Sequence, residues 1–427
     1  MSTEIIDILE SRGFIKQCTD LDALRAHCAE KPVSAYIGYD PTASSLHVGN
    51  LLTIITMMHF ERAGHRPVAL IGGGTARVGD PSGKTEMRQL LGEDQIDANK
   101  VGFRQQLGRF LNFDDGSSIM VDNADWLTDL NYIDFLRTIG RHFSVNRMLS
   151  AEAYRSRMER GLSFIEFNYQ ILQAYDFLEL RRRHGVSLQM GGDDQWGNIL
   201  AGVDLCRRVD ESLVHGLTFP LLTTATGAKM GKTASGAVWL DAERLSPYEF
   251  FQYWINVHDD DVKKLFAFYT FLPMEEVEDV SKLSGAELNQ AKSMLAWEVT
   301  SLVHGRVEAD KALQAAQQAF GARAISQSLL PSSQMPRDAK TSQVVLPTLK
   351  VEQAWIEDGA VSLITLLREA KFSKSNSDAR RLISQGGVKW DGSAIEDIAA
   401  TIPMDSISAD GHELRAGKKR VIRVLPS

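Results

Sequence analysis

Apolar residues along this chain fall in short blocks whose spacing changes from one stretch to the next. Pro32 to Tyr39 reads as a strand, Leu46 to Ala63 as a helix and Arg66 to Ile71 as a second strand, after which Gly72-Gly73-Gly74 turns the chain. Strand, helix and strand with a glycine-rich exit predict a parallel, doubly wound α/β sheet of the Rossmann-like kind. A right-handed crossover makes the two strands neighbours, and ligands collect at the carboxyl ends of such strands. Gly38, Asp40, His47, the three glycines and Asp80 all fall at those ends. Apolar residues three and four apart make Ala124 to Tyr175 mainly helical, a segment inserted between the halves of the nucleotide fold. Val186 to Met190 and Leu217 to Thr223 read as further strands. From Ser246 to Phe320 the pattern is helical, with Trp254, Phe266, Phe268 and Phe271 as core anchors. Ala324 to Leu346 loses periodicity around Pro331, Pro336 and several serines and reads as a linker. Leu363 to Gly392 then gives two short helices with Leu366, Ala379, Leu382 and Ile383 inward, a Gly386-Gly387-Val388 strand and an Asp391-Gly392 turn. The expected domains are a catalytic one at 1–242 with its insertion at about 124–185, an α-helical one at 243–323, a linker at 324–350 and a small α+β module at 351–427.

Composition changes this picture only at the C-terminal end. The chain has 427 residues, 44% hydrophobic and 24% charged, an ordinary balance with length enough for two or three domains. A net charge of −8 argues against a protein that coats DNA. Yet residues 361–427 carry 11 basic and 8 acidic side chains, against 36 and 47 in the rest, which points to a nucleic-acid-binding appendix on an acidic body. Cys18, Cys28 and Cys206 form no CxxC pair, so neither a disulfide framework nor a structural zinc site is expected. The stretch from Met1 to Gly13 carries Glu4, Asp7 and Glu10 and lacks the basic start and apolar middle of a signal peptide. No run approaches the ~18 apolar residues of a membrane span. A cytoplasmic protein without a membrane partner is the expectation.

Two short motifs suggest chemistry. His47-Val48-Gly49-Asn50 opens a predicted helix, where free backbone N–H groups and the positive end of the helix dipole favour phosphate. Gly49 removes a side chain from the nucleotide's path, and Thr42 and His47 add donors. Lys229-Met230-Gly231-Lys232-Thr233 lies in a small-residue stretch that can bring two ammonium groups and a hydroxyl onto phosphate oxygens. Donors aimed at developing charge are a large catalytic term, about 10²–10³ in rate for one lost donor. A third block, Gly191-Gly192-Asp193-Asp194-Gln195-Trp196-Gly197-Asn198, lets a ligand approach the backbone, with Asp194 suited to ribose hydroxyls and Gln189 and Gln195 to a small zwitterion. Tyr169, Gln173 and Asp176 stand four and three residues apart and so share one helix face.

Together these motifs resemble the class I aminoacyl-tRNA synthetases, whose two ATP signatures are summarised as HIGH and KMSKS, and within them the tyrosyl-tRNA synthetases. The Tyr169, Gln173 and Asp176 triplet is similar to that family's YxxQxxD helix, and the third block to its GGSDQWGN, with Asp193 where serine is usual. The resemblance implies that Tyr169, Gln173 and Asp80 hold the ammonium of tyrosine and that Tyr36 and Asp176 meet its phenolic hydroxyl. It implies an ATP site of Gly38, Asp40, His47, Gly49, Asn50, Gly192, Asp194, Lys229, Met230 and Lys232. Lys84 and Arg88 would meet the leaving pyrophosphate beside Thr42, Lys229, Lys232 and Thr233. ATP would bring Mg²⁺, with no resident cofactor and no metal held by the protein alone. The insertion would carry a homodimer interface. The C-terminal module looks like the RNA-binding domain of ribosomal protein S-four, with Lys371, Lys374, Arg380 and Arg381 facing the phosphates of tRNA(Tyr). Two alternatives remain open at this point: a tryptophan enzyme of the same architecture, and a paralogue that binds RNA without catalysis.

Overall fold

A computed structural model describes residues 4–82, 91–150, 154–155, 158, 161–225, 227, 230–233, 236–320, 325–337, 348–417 and 420–426. Its contacts group into two compact units, one of residues 1–246 and 257–283, the other of 247–256 and 284–427.

The first unit is built on a six-stranded sheet: β1 (Gln17–Cys18), β2 (Ser34–Tyr39), β3 (Arg66–Ile71), β4 (Ile119–Asp122), β5 (Leu188–Gly192) and β6 (His215–Phe219), in the order β1-β6-β5-β2-β3-β4. All neighbours run parallel except β1, which is antiparallel to β6. β2 and β3 are apolar on both faces, as a sheet covered on both sides requires; Ala35, Tyr36, Val68, Ala69 and Ile71 are all buried. The Val48–Arg62 helix crosses between them and is buried on nearly every side, through Leu51, Ile54, Ile55, Met57 and Phe60. The order reverses at β2, which lies between β3 and β5, so the carboxyl ends of those strands form the crevice where this topology gathers ligands. β6 starts two residues before the predicted strand and stops at Phe219, because Pro220 has no N–H to extend the ladder.

The inserted segment is helical, as its spacing predicts, but as short pieces, Ala124–Leu127, Tyr132–Thr138 and Val145–Leu149, before the long Phe164–His184 helix. Ser163 and Glu166 close a capping box at the start of that helix, and Gly185 ends it at φ 66°. The contact grouping follows packing rather than the expected boundary at 242. The buried Arg12 donates to the carbonyls of Ala267, Thr270 and Leu272 at 3.0, 2.9 and 2.6 Å, and the Tyr269 hydroxyl donates to Val48 O at 3.1 Å. Phe266 and Phe268 are core as predicted; Phe271 is only half-buried, with Arg62 over its ring at 3.5 Å. Cys28 and Cys206 are buried and Cys18 half-buried, all three unpaired.

The second unit has three longer helices, Pro247–Ile255, Gly285–His304 and Arg306–Phe320, with Trp254 fully buried. Part of the predicted linker packs instead. Ile325, Leu330 and Met335 are buried, and Arg337 donates to the carbonyls of Leu329 and Leu330, both at 2.8 Å. Residues 338–347, the rest of that loop, lie outside the described residues. The C-terminal module pairs the Leu363–Glu369 and Asn376–Ser384 helices with a five-stranded and a three-stranded sheet. Leu366, Ala379 and Ile383 are buried there, and Leu382 is half-buried.

Candidate active site

The loop after β2 carries the first motif. His47 is the N-cap of the Val48–Arg62 helix; its Nδ1 accepts from Gly49 N at 3.0 Å, and the His47 N–H donates to Asn50 Oδ1 at 3.1 Å. The local sequence therefore builds a capping box from an unusual pair. Contact rather than backbone conformation favours glycine at 49, since a Cβ there would stand 2.8 Å from His47 Cε1. A Cβ on Gly38 would meet nothing within 4 Å, so open space lies beside the end of β2. The second motif reaches the first through backbone bonds. Val48 N donates to Val238 O at 2.9 Å, Leu240 N to Leu46 O at 2.9 Å and Val238 N to Gly231 O at 2.8 Å. Lys232 and Thr233 pair with Ala237 and Gly236, so the strand holding both residues leads directly onto the first motif. Arg244 covers the Trp239 ring at 3.5 Å and donates to Ser44 Oγ at 3.0 Å.

The amino-acid end is the buried part. Asp176 is 2% exposed and Tyr36 1%. Asp176 Oδ2 accepts from Asn123 Nδ2 at 2.9 Å and Oδ1 from Trp126 Nε1 at 2.8 Å. Burial nevertheless pushes its pKa up to about 8, and these two donors only partly oppose it. Burial, then the nearby Asp176, raises the Tyr36 hydroxyl well above its ordinary range. Among the described residues that hydroxyl has no hydrogen-bond partner, nor has Gln189 Oε1. A buried polar atom without a partner costs about 1–3 kcal/mol, so this pair of atoms is suited to a ligand that brings its own polar groups.

At the other end, Asp80 accepts from Ser82 N and from Gln195 Nε2, both at 2.8 Å. Asn198 Nδ2 lies between Gln173 Oε1 at 3.0 Å and Gln195 Oε1 at 3.2 Å, which joins Gln173, Gln195 and Asp80 in one cluster. The Tyr169 hydroxyl donates to Asp40 Oδ2 at 2.9 Å rather than to Asp80. Asp193 accepts from Gln17 Nε2 at 2.6 Å and Thr218 Oγ1 at 2.9 Å, tying the turn that carries Asp194 to β1 and β6. A Cβ on Gly192 would come within 2.7 Å of Asp194 Oδ1.

Lys84, Arg88 and Lys229 lie outside the described residues, as do the side chains of Lys232 and Thr233; Thr42 is exposed, and Met230, Asn50 and Asp40 are half-buried at the crevice. Lys371, Lys374, Arg380 and Arg381 are all exposed on the C-terminal module, with Arg381 paired to Asp378 at 2.7 Å. Motif reading left out Asn123 and Trp126, and gave Asn198, the last residue of the third block, no role of its own. It also left out Asn99, which donates to Pro41 O at 2.9 Å, and Gln106, which accepts from Leu46 N at 2.9 Å. One available signal was position: Asn123 and Trp126 follow the carboxyl end of β4, where this topology places ligand contacts.

Comparison with known proteins identifies the family. The profile of the class I tRNA synthetases (W and Y) matches residues 28–321. The tyrosine–tRNA ligase of Desulfosudis oleivorans is 53% identical over 97% of this chain and 97% of its own length. That of Desulfatibacillum aliphaticivorans is 52% identical over the whole of both chains. Among solved structures, a C-terminally truncated mitochondrial tyrosyl-tRNA synthetase from Aspergillus nidulans aligns with a TM-score of 0.66 at 31% identity, over 74% of this chain and 94% of that one.

Proposed function

Because the chain belongs to the class I tRNA synthetases of the W and Y group, we propose that its crevice activates tyrosine with ATP and passes the tyrosyl group to tRNA(Tyr). The chain is a tyrosine–tRNA ligase, and the observation that carries the choice of amino acid is the Tyr36 hydroxyl, buried near Asp176 and without a hydrogen-bond partner among the described residues. A phenol can donate to the Asp176 carboxylate and accept from Tyr36, using both. Phenylalanine would leave the buried Tyr36 hydroxyl unsatisfied and give Asp176 no donor beyond Asn123 and Trp126, and an indole N–H could donate but not accept.

In the first step the tyrosine carboxylate attacks the α-phosphorus of ATP in line, and pyrophosphate leaves. The nucleophile is already an anion, so no general base is needed; orientation and charge stabilisation do the work. Asp80, Gln173 and Tyr169 orient the ammonium, with Gln189 and Gln195 beside the zwitterion. Gly38, Asp40, Gly49, Asn50, Gly192, Asp194 and Met230 cradle the nucleotide. His47 and Thr42 stabilise charge at the helix N-terminus, and Lys84, Arg88, Lys229, Lys232 and Thr233 accompany the departing pyrophosphate. Magnesium entering with ATP supplies further charge neutralisation on the phosphates.

The tyrosyl group then passes to the 3′ end of tRNA, with Lys371, Lys374, Arg380 and Arg381 facing its phosphates through salt-sensitive contacts. A homodimer in the cytoplasm completes the reading. Support for the homodimer is the number of large apolar side chains left exposed in the inserted segment, Tyr132, Ile133, Leu136, Val145, Phe164 and Ile165. Domain limits at 242, 323 and 350 and the inserted interface at about 124–185 belong to the same proposal. Amino-acid-dependent ATP–pyrophosphate exchange tests it: tyrosine alone among the common amino acids should drive exchange, and exchange driven by tryptophan would overturn the assignment.

A further inference from the structure

The two ends of the amino-acid pocket are joined through one hydroxyl by a run of hydrogen bonds that is buried at Asn123 and Asp176 and half-buried at Asp40. Thr75 lies just past the glycine turn that follows β3 and is 2% exposed. Its Oγ1 donates to Asp40 Oδ1 at 2.7 Å and accepts from Asn123 Nδ2 at 2.9 Å. Direction is fixed at each step. An ionised carboxylate only accepts, so the hydroxyl proton points at Asp40, whose other oxygen takes the Tyr169 hydroxyl at 2.9 Å. The Asn123 amide oxygen accepts from Gly74 N at 2.7 Å, which turns the –NH₂ group toward Thr75 and Asp176. Its two N–H donors are then both used. Gly72 leaves room for the junction: a Cβ there would stand 2.0 Å from Asp40 Oδ1 and 2.6 Å from Thr75 Oγ1.

We infer that Thr75 is a positioning residue that couples the phenol-recognising carboxylate Asp176 to the Asp40–Tyr169 pair at the ammonium and nucleotide end. The inference rests on the reading of this crevice as a tyrosine pocket and adds a residue that touches no reacting atom. Without the hydroxyl, one buried N–H of Asn123 loses its acceptor and Asp40 Oδ1 loses the Thr75 proton. The Asn123 amide can then rotate, and Asp176 loses the fixed direction in which it meets a phenol. The phenol and ammonium contacts of tyrosine are both affected by a change at neither.

The test uses the full-length enzyme with Thr75→Val, which keeps the branched shape and removes the hydroxyl, and Thr75→Ser, which keeps the hydroxyl. In ATP–pyrophosphate exchange, Thr75→Val should raise the KM for tyrosine about tenfold, the scale set by one unsatisfied buried donor. The KM for ATP should stay within about twofold, and Thr75→Ser should recover most of the loss. Combining Thr75→Val with Asn123→Ala should cost little more than the worse single change, because both break one chain. A smaller folded fraction would lower kcat alone and leave both KM values in place. An unchanged tyrosine KM in Thr75→Val, a failure of Thr75→Ser to recover it, or fully multiplicative losses in the pair would overturn the inference. If the tyrosine pocket itself were misread, the unaltered enzyme would show no tyrosine-driven exchange, a separate result.

Discussion

The phenol end and the phosphate end of the crevice are built by different means. At the phenol end, Tyr36 and Asp176 are nearly inaccessible to water and are set by side-chain bonds from Asn123 and Trp126, which come from another strand end. At the phosphate end, His47 is half-buried, Thr42 is exposed, and the first motif is fixed chiefly by backbone bonds to Val238 and Leu240 and by its own capping box. Selecting one amino acid requires polar groups that are costly to leave unpaired, which requires desolvation. Admitting and releasing a charged polyphosphate requires donors that water can also reach. The difference teaches that specificity and catalysis in this crevice rest on separate supports and should fail separately.

The largest effect should come from Asp176→Ala. It strips the phenol's acceptor and leaves Asn123 and Trp126 with buried, unpaired donors. Tyrosine-driven exchange should fall at least about 10³-fold while ATP affinity changes little. Comparable activity in that variant would erase the contrast between the ends. His47→Ala comes next: kcat for exchange should drop about 10²-fold with the tyrosine KM nearly unchanged, as expected of a donor acting on developing charge. A parallel rise in the tyrosine KM would show that the two ends are not independent at this point.

The smallest effect is a pH dependence confined to the phenol end. The Asp176 pKa of about 8 lies above that of a free carboxyl, so its folded form holds a proton that must leave before a full carboxylate meets the phenol. The KM for tyrosine should therefore fall severalfold as pH rises from about 6 to 8, while the KM for ATP follows a different profile. The same shift makes the ligand-free protein lose stability over that rise, because a raised acid pKa favours the folded state only while the proton is on. A tyrosine KM flat across this range would show that Asp176 is ionised throughout.

Much of the phosphate end was legible in the sequence, because each of its parts is local. A histidine before a helix, a glycine two residues on and a strand before them are neighbours in the chain, and periodicity places them. The shared face of Tyr169, Gln173 and Asp176 was legible for the same reason. The supports of the phenol end were not. Asn123 and Trp126 reach Asp176 across 53 and 50 positions, and no spacing rule connects them. The packing of Ile325, Leu330 and Met335 was hidden by the prolines and serines around them, which read as linker until a surface to pack against is supplied.

The order of residues, by itself, determined the crossover of β2 and β3, the helix start at His47 to Asn50 and the shared face of Tyr169, Gln173 and Asp176. These follow from helical and strand periods and from what glycine and the helix dipole allow. Only the tertiary structure decided that Asp176 is buried deeply enough to hold its proton, that the Tyr36 hydroxyl has no partner among the described residues, and that one threonine hydroxyl joins Asp176 to the Asp40–Tyr169 pair. Those properties depend on desolvation and on donors and acceptors from distant strand ends, which exist only once the sheet has brought them together.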